Sequence, residues 1–422
     1  MVGELEAKGR FEVALDDPPP LENFEPAPDG GLEAWLVAAG GCCLFFCCLG
    51  FSNSFGNFAE YYMTHELRAE SPDSIAWIGS LSAFLQFAAG MVGGPLFDRY
   101  GAKVIQPAAL LYVFSMMMLS LCKQYLQVML VQGVLQGIVM GLLQFPAFAA
   151  VSQYFDKKRA AALGIIVSGS SVGGIIIPIA VSKMLNGSDL GFGWTVRIVG
   201  FVMLPFLAFA IFTVKARLPS RPTSFWLPGA YKNKKYDILI VSLFFTFMGT
   251  FTPLFYIPSY AVSRGMDATL AGYLSAILNG ASTFGRIIPG VLADKYGRIN
   301  VYTLGAIATA IVIFCMNSAE SNAALIVYSV VVGFTSGTII SGASAAMSSC
   351  ASSGQDMGTY MGMGMSISAL GGLIGPPLNG VLLKHYGGFL EVSIFSGSVC
   401  LLGGIIALLS KLATPQGLLG RA

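Results

Sequence analysis

Along this chain, apolar stretches of bilayer-crossing length recur between Ala34 and Ser410, separated by short polar breaks. A helix that crosses a bilayer needs about 20 apolar residues. Uninterrupted runs of this kind differ from the alternating ten-residue segments of a membrane β-barrel. The pattern predicts an all-α membrane protein of twelve transmembrane helices, at 34–57, 75–97, 103–122, 126–154, 160–185, 194–214, 237–261, 268–292, 300–316, 322–349, 358–383 and 389–410. The longest internal polar segment, Lys215 to Lys235, carries six basic residues with prolines and falls between the sixth and seventh spans. The chain thus divides into a disordered cytosolic tail (1–33), a six-helix bundle (34–214), a cytosolic linker (215–236), a second six-helix bundle (237–410) and a cytosolic C-terminal tail (411–422).

The two predicted halves echo one another. Gly94-Pro-Leu-Phe-Asp98-Arg99-Tyr-Gly101-Ala-Lys103 follows the second span, and Gly290-Val-Leu-Ala-Asp294-Lys295-Tyr-Gly297-Arg298 follows the eighth, displaced by 196 positions. Ser168, Ser170, Gly173, Gly174 and Pro178 recur as Ser366, Ser368, Gly371, Gly372 and Pro376 at a displacement of 198, and Gly133 and Gly137 recur as Gly333 and Gly337. Matches at nearly one displacement point to a duplicated unit, two six-helix pseudo-repeats around a central cavity, as in transporters built from parallel repeats. Glycines three or four apart let helices approach closely in lipid, where packing holds helices together. An aspartate at the mouth of such a bundle accepts hydrogen bonds from a neighbouring helix N-terminus and pairs with arginine or lysine. Asp98, Arg99, Asp294 and Lys295 are therefore candidate gate residues, against the alternative of a tight turn carrying topogenic charge.

Composition sharpens the picture. Of 422 residues, 55% are hydrophobic and 11% charged, with a mean hydropathy of +0.71; a soluble domain carries about 25% charge. The net charge of +2 gives no reason to expect nucleic acid as a partner. With both termini cytosolic, seventeen Lys and Arg fall on the inner side and five on the outer, the bias that the positive-inside rule requires. The acidic, proline-containing stretch from Met1 to Pro28 is unlike the basic n-region and apolar h-region of a leader. All eight cysteines lie in or beside apolar runs, so no extracellular disulfide framework is expected. Cys43 and Cys47 stand one turn apart without a histidine or carboxylate nearby, and the methionines from Met357 to Met365 read as packing beside glycines. Neither a metal nor a cofactor is expected. Only His65 and His385 are histidines, both near outer loops, which disfavours an intramembrane enzyme.

At the loop motifs the chain resembles the major facilitator superfamily: Gly94 to Lys103 reproduces its signature in full and Gly290 to Arg298 in weaker form. Asp29-Gly30-Gly31-Leu32-Glu33-Ala34-Trp35 and Tyr154-Phe155-Asp156-Lys157-Lys158-Arg159-Ala160-Ala161-Ala162-Leu163-Gly164 are similar to the motifs opening spans one and five in the monocarboxylate porter family. The likeness is strongest to its fungal branch, in which Asn53-Ser54-Phe55-Gly56 closes span one. The resemblance implies alternating access through a central cavity, often with proton coupling. It also implies a charged set of a lysine in span one and an aspartate and arginine in span eight. Arg286 matches the arginine; Ser282 stands at the aspartate position and Asn57 near the lysine.

Arg286 lies within an apolar span, where an ionised group is costly and is kept for a partner or a pathway. Asn279 and Ser282, seven and four residues before it, share its face. This trio is a seat for a substrate carboxylate or carbonyl, or else Arg286 braces a neighbouring span. Asn53, Asn57 and Glu60 form a second polar face, and Gln144 and Tyr256, with Gln86 and Asn379, are further polar groups in apolar spans. Each of these four either meets substrate or bonds another helix. The expected function is a secondary active transporter of a small organic solute, a carboxylate or weakly acidic metabolite, with secondary-metabolite efflux favoured by the two missing charges. Proton-coupled monocarboxylate uptake and a non-transporting sensor on the same scaffold are the alternatives. Protons are a candidate second partner, with Glu60 the first group to test. The plasma membrane is the expected site, and nothing in the sequence bears on an accessory single-span subunit.

Overall fold

Each long apolar run folds as the helix its length demands. The computed structural model describes residues 26–220, 225–351 and 353–411. In the N-terminal part, α1 (Gly31–Ser52) and α2 (Phe55–Thr64) precede α3 (Pro72–Ala88), α4 (Gly90–Tyr100) and α5 (Ile105–Leu119). A short α6 (Tyr125–Val128) runs through a π-helical segment, Met129–Leu135, into α7 (Gln136–Tyr154), followed by α8 (Arg159–Asn186) and α9 (Gly191–Thr213). Beyond the linker come α10 (Lys234–Ser263), α11 (Ala268–Tyr296), α12 (Arg298–Phe314), α13 (Asn322–Ser348), α14 (Met357–Tyr386) and α15 (Leu390–Ser410).

Among the described residues, ten helical stretches are long and apolar enough to cross a membrane. One of them, Ser74–Leu119, holds two of the spans expected from sequence, and the expected span 268–292 falls in α11, outside the ten. Asn279, Ser282 and Arg286 dilute the apolar character of that helix. The first expected span, 34–57, turns at Asn53 and Ser54 and then continues as helix to Thr64, so the Asn53-Ser54-Phe55-Gly56 motif is a break within the run, not its end.

Local chemistry sets the ends. Ser71 and Ser321 accept from the amides of Ser74 and Ala324 and cap α3 and α13, and Asp267 accepts from Thr269 and Leu270 at the start of α11. The closing glycines of the two loop motifs, Gly101 and Gly297, have φ of 64° and 103°, a conformation that a residue with a Cβ adopts only under strain.

Glycines set the spacing between helices. In the N-terminal part, a Cβ at Gly173 of α8 would press on the Phe46 carbonyl of α1; at Gly371 of α14 it would meet the Phe244 carbonyl of α10. Across the two parts, a Cβ at Gly164 of α8 would collide with the Arg286 carbonyl of α11, and one at Gly362 of α14 with the Gly90 carbonyl of α4. Side chains follow the same pairing: Asn57 donates to the Pro178 carbonyl of α8 at 2.7 Å, and Tyr256 donates to the Pro376 carbonyl of α14 at 2.9 Å.

The tail expected to be disordered over 1–33 is instead held from residue 26 onward. Asp29 donates its amide to the Tyr154 carbonyl at 3.1 Å, the Arg217 guanidinium donates to the Pro26 carbonyl at 2.8 Å, and α1 begins at Gly31. Orphan carbonyls at the end of α7 need donors, and this segment supplies one. The linker expected over 215–236 contains a short 3-10 turn, Pro228–Lys232, and gives way to α10 at Lys234. The rest of both tails, 1–25 and 412–422, and linker residues 221–224 lie outside the described residues.

Candidate functional site

The end of the bundle at which α1 begins, here the basal end, carries both loop motifs. Asp98, at the end of α4, is 3% exposed and inserts its carboxylate into the N-terminus of α14. It accepts from the amides of Gly358 (3.1 Å) and Thr359 (2.6 Å) and from the Thr359 hydroxyl (2.7 Å). Asp294, at the end of α11, does the same at the N-terminus of α8, accepting from the amides of Ala160 (2.9 Å) and Ala161 (2.8 Å), with the Arg298 guanidinium 3.5 Å away. A helix N-terminus presents unsatisfied N–H groups and a positive dipole end, so a carboxylate is the group that fits it. Asp294 lies two residues beyond the span expected from sequence; burial pushes its carboxyl upward, outweighing the opposite pull of the Ala161 and Ala160 amides and Arg298.

The basic neighbours behave differently from their acidic partners. Arg99 and Lys295 are exposed and lie over the rings of the adjacent Tyr100 and Tyr296, at 5.9 and 5.3 Å from the ring centroids. Arg298 and Thr359, which sequence reasoning did not single out as gate residues, complete the two carboxylate contacts. A signal for Thr359 was present: displaced by 198 it falls on Ala161, whose amide binds Asp294.

Within the N-terminal half sits a third carboxylate contact. Asp29 accepts from the amides of Asp156 (2.7 Å) and Lys158 (3.2 Å) in the turn joining α7 to α8. Around the same turn, Tyr154 donates to Glu33 at 3.2 Å, Trp35 packs on Phe155 with ring centroids 4.9 Å apart, and Arg159 donates to the Phe155 carbonyl at 2.9 Å and pairs with Asp156 at 3.0 Å. From the opposite side, Arg298 donates to the Asp156 carbonyl. The two sequence motifs that open α1 and α8 are thus bound to each other.

Within the bundle, Arg286 is 5% exposed and reaches from α11 to α8, where it donates to the Val167 carbonyl at 2.8 Å and to the Ser170 hydroxyl. No carboxylate lies within ion-pair distance of it among the described residues. Its Nε and the Nε2 of Gln144 are buried donors with no hydrogen-bond partner within the protein among those residues. Ser282 is buried one turn before Arg286. Asn279 sits farther along α11, donates to the Ser275 carbonyl, and converges with Asn53 on Gly174 of α8, where a Cβ would lie 2.5 Å from Asn53 Nδ2 and 3.0 Å from Asn279 Oδ1. Asn57 and Tyr256 bond the backbone beside Pro178 and Pro376. Asn379 is bound on both sides by Thr252 and Ser396, and Gln86 accepts from Ser52 while its Nε2 has no hydrogen-bond partner among the described residues. Glu60 is exposed on α2.

This arrangement has counterparts among known proteins. The Major Facilitator Superfamily family model matches residues 40–298 and 281–419. The chain is 50% identical over 406 residues to an aspyridones efflux protein of Emericella nidulans, covering 96% of this chain and 83% of that one. It is 40% identical over 417 residues to an agnestins efflux protein of Paecilomyces divaricatus, covering 97% and 93%. In fold it is similar to the crystal structure of the human organic anion transporter TETRAN (TM-score 0.69, 15% identity, 90% and 100% covered) and to that of the transporter FucP in its outward conformation (TM-score 0.68, 14%, 90% and 99%). With membrane-crossing helices along most of its length and these relatives covering nearly all of it, the chain is an integral membrane protein that belongs to the Major Facilitator Superfamily, a secondary transporter of small solutes.

Proposed function

We propose that the chain exports a secondary metabolite bearing carbonyl or carboxylate oxygens, by alternating access between two six-helix halves of a twelve-span bundle. The observation that carries the alternating-access reading is the pair of carboxylate contacts at the basal end, Asp98 on α14 and Asp294 on α8, each joining one half to the other. Support for the duplicated halves comes from residue pairs at displacements of 196 to 199 making like contacts, among them Asn57 to Pro178 and Tyr256 to Pro376. The seventeen Lys and Arg on the basal side, against five on the other, favour a cytosolic basal end and cytosolic termini, in the plasma membrane. The interlocked motifs at Asp29–Trp35 and Tyr154–Gly164 favour the monocarboxylate porter-like branch.

Export as the direction rests on the relatives named for efflux of aspyridones and agnestins. Arg286 Nε and Gln144 Nε2 are donors that a substrate's oxygens would satisfy, with Asn279, Ser282, Asn53, Asn57 and Tyr256 on neighbouring helix faces. Proton coupling, if the transporter uses it, runs through a group other than the family's aspartate, because Ser282 does not titrate in the physiological range; Glu60 is the group proposed. The test is flux in proteoliposomes against a panel of carboxylates and fungal metabolites, with aspyridones and agnestins included. Saturable flux of an oxygen-rich metabolite that the Arg286→Gln variant loses bears the proposal out. Flux of none of them, from protein that is correctly inserted, would leave a sensor on a transporter scaffold.

A further inference from the structure

Asp29 lies outside the bundle, is not part of either gate motif, and yet is tied to the turn that feeds one of the two gate contacts. Its backbone has φ of 51°, a left-handed conformation costly for residues other than glycine, asparagine and aspartate. That conformation lets one residue serve both helices of a hairpin. Its amide donates to the carbonyl of Tyr154, the last residue of α7, and its Oδ1 accepts from Asp156 and Lys158, the residues leading into α8. Two residues further on, the amides of Ala160 and Ala161 are taken by Asp294 from the other half. The first turn of α8 is therefore held by two carboxylates from opposite sides, Asp29 from its own half and Asp294 from across the mouth. Arg298, which flanks Asp294, also donates to the Asp156 carbonyl, so the turn fixed by Asp29 carries two of the cross-half contacts.

We propose that Asp29 is a positioning residue of the basal gate: by fixing the turn between α7 and α8 it presents the first amides of α8 to Asp294 and the Asp156 carbonyl to Arg298. This inference rests on the alternating-access reading for its meaning in transport, while its structural content stands apart from any substrate. The α14 contact at Asp98 stands apart from it: among the described residues, the bonds that Asp98 makes run to Gly358 and Thr359 at the start of α14, not to Asp29 or the α7–α8 turn.

The test is amide hydrogen exchange on the full-length protein in nanodiscs, read at 160–161 and at 358–359. Asp29→Gly removes the carboxylate and relieves the left-handed backbone at once, so the loss of the acceptor is read without added strain. Exchange at 160–161 is expected to rise about tenfold while exchange at 358–359 stays at the wild-type rate; Asp29→Asn, which keeps one acceptor oxygen and tolerates the same φ, is expected to fall between. In an Asp294→Asn background, Asp29→Gly should add less than about twofold, since both act on the same amides. Unchanged exchange at 160–161, an equal rise at both contacts, or full multiplication of the two effects would each overturn the proposal. If Asp29→Gly does not fold, the Asn variant alone decides it by the same selective rise at 160–161. Failure of the transport reading would leave these rates as predicted, whereas failure of this inference would show in the rates while flux in the panel assay persists.

Discussion

In the proposed mechanism, single side chains divide the labour between holding the mouth shut and handling the solute. Asp98 makes three hydrogen bonds to the start of α14, and bonds to a charged acceptor contribute roughly 1.5–3 kcal/mol each, net of the bonds to water that they replace. Asp98→Asn keeps an acceptor oxygen but loses the charge, and the expected cost to the closed state is about 1.5 kcal/mol, near tenfold in its population. Membrane abundance should be unchanged, flux reduced, and exchange at 358–359 raised; normal flux with normal exchange would remove the gate role. For Arg286, lysine retains the charge without the planar fork and glutamine loses the charge. Arg286→Lys should lower transport partly and Arg286→Gln nearly abolish it at equal abundance, measured as flux per molecule of surface protein. If both variants vanish from the membrane, the bonds to Val167 and Ser170 are its whole role, a brace between α8 and α11. Asp98 was legible in sequence because its motif occurs twice; Arg286's grip on α8 was not, because no pattern along α11 says which neighbouring helix its side chain will meet.

At the level of helices, the glycines separate into two groups that sequence spacing alone runs together. Gly164 and Gly362 face the opposite half, against the carbonyls of Arg286 and Gly90, whereas Gly173 and Gly371 face α1 and α10 of their own half. Crowding a packed contact with one methyl costs about 1–3 kcal/mol. Gly164→Ala and Gly362→Ala should therefore weaken only the basally closed state, raising basal accessibility with little change in melting temperature. Gly371→Ala should lower the melting temperature by several degrees with the gate balance unaltered. Thermal unfolding in detergent alongside labelling of a basal cysteine distinguishes the two, and equal melting shifts in all three variants would refute the sorting. Sequence periodicity foresaw the helices and the small residues upon them. It missed the turn at Asn53 and Ser54, since a break shorter than one helical turn scarcely alters an apolar run, and it missed the order in residues 26–30, since acidic and proline-rich composition is blind to a distant turn waiting for donors and acceptors.

For the molecule as a whole, the proposed mechanism makes the two carboxylate contacts act on one equilibrium, between a basal end that is shut and one that is open. The Asp294 carboxyl is raised above its ordinary value of 3.8 in the shut state by burial, and opening returns it to water. A carboxyl whose value is higher in one state makes that state take up protons more readily, so acidification favours the shut form, and the effect is lost as pH rises above the raised value. Basal accessibility should therefore fall as pH is lowered toward the carboxylate range, and the part of this dependence owed to Asp294 should vanish in Asp294→Asn; a dependence of opposite sign in the wild type would show that the amide contacts outweigh burial.

The closest approaches at that end are between backbones: a Cβ at Gly94 would overlap the Gly358 carbonyl, and one at Gly290 would press on the carbonyl of Ala160. Main chain against main chain leaves no room for a water molecule between the paired helices at these two points. On the proposed mechanism, the small size of these four residues, Gly94, Gly358, Gly290 and Ala160, is what lets the two halves close on each other at the basal end, and a bulkier residue at any of them is expected to leave that end leaky to ions as well as to solute.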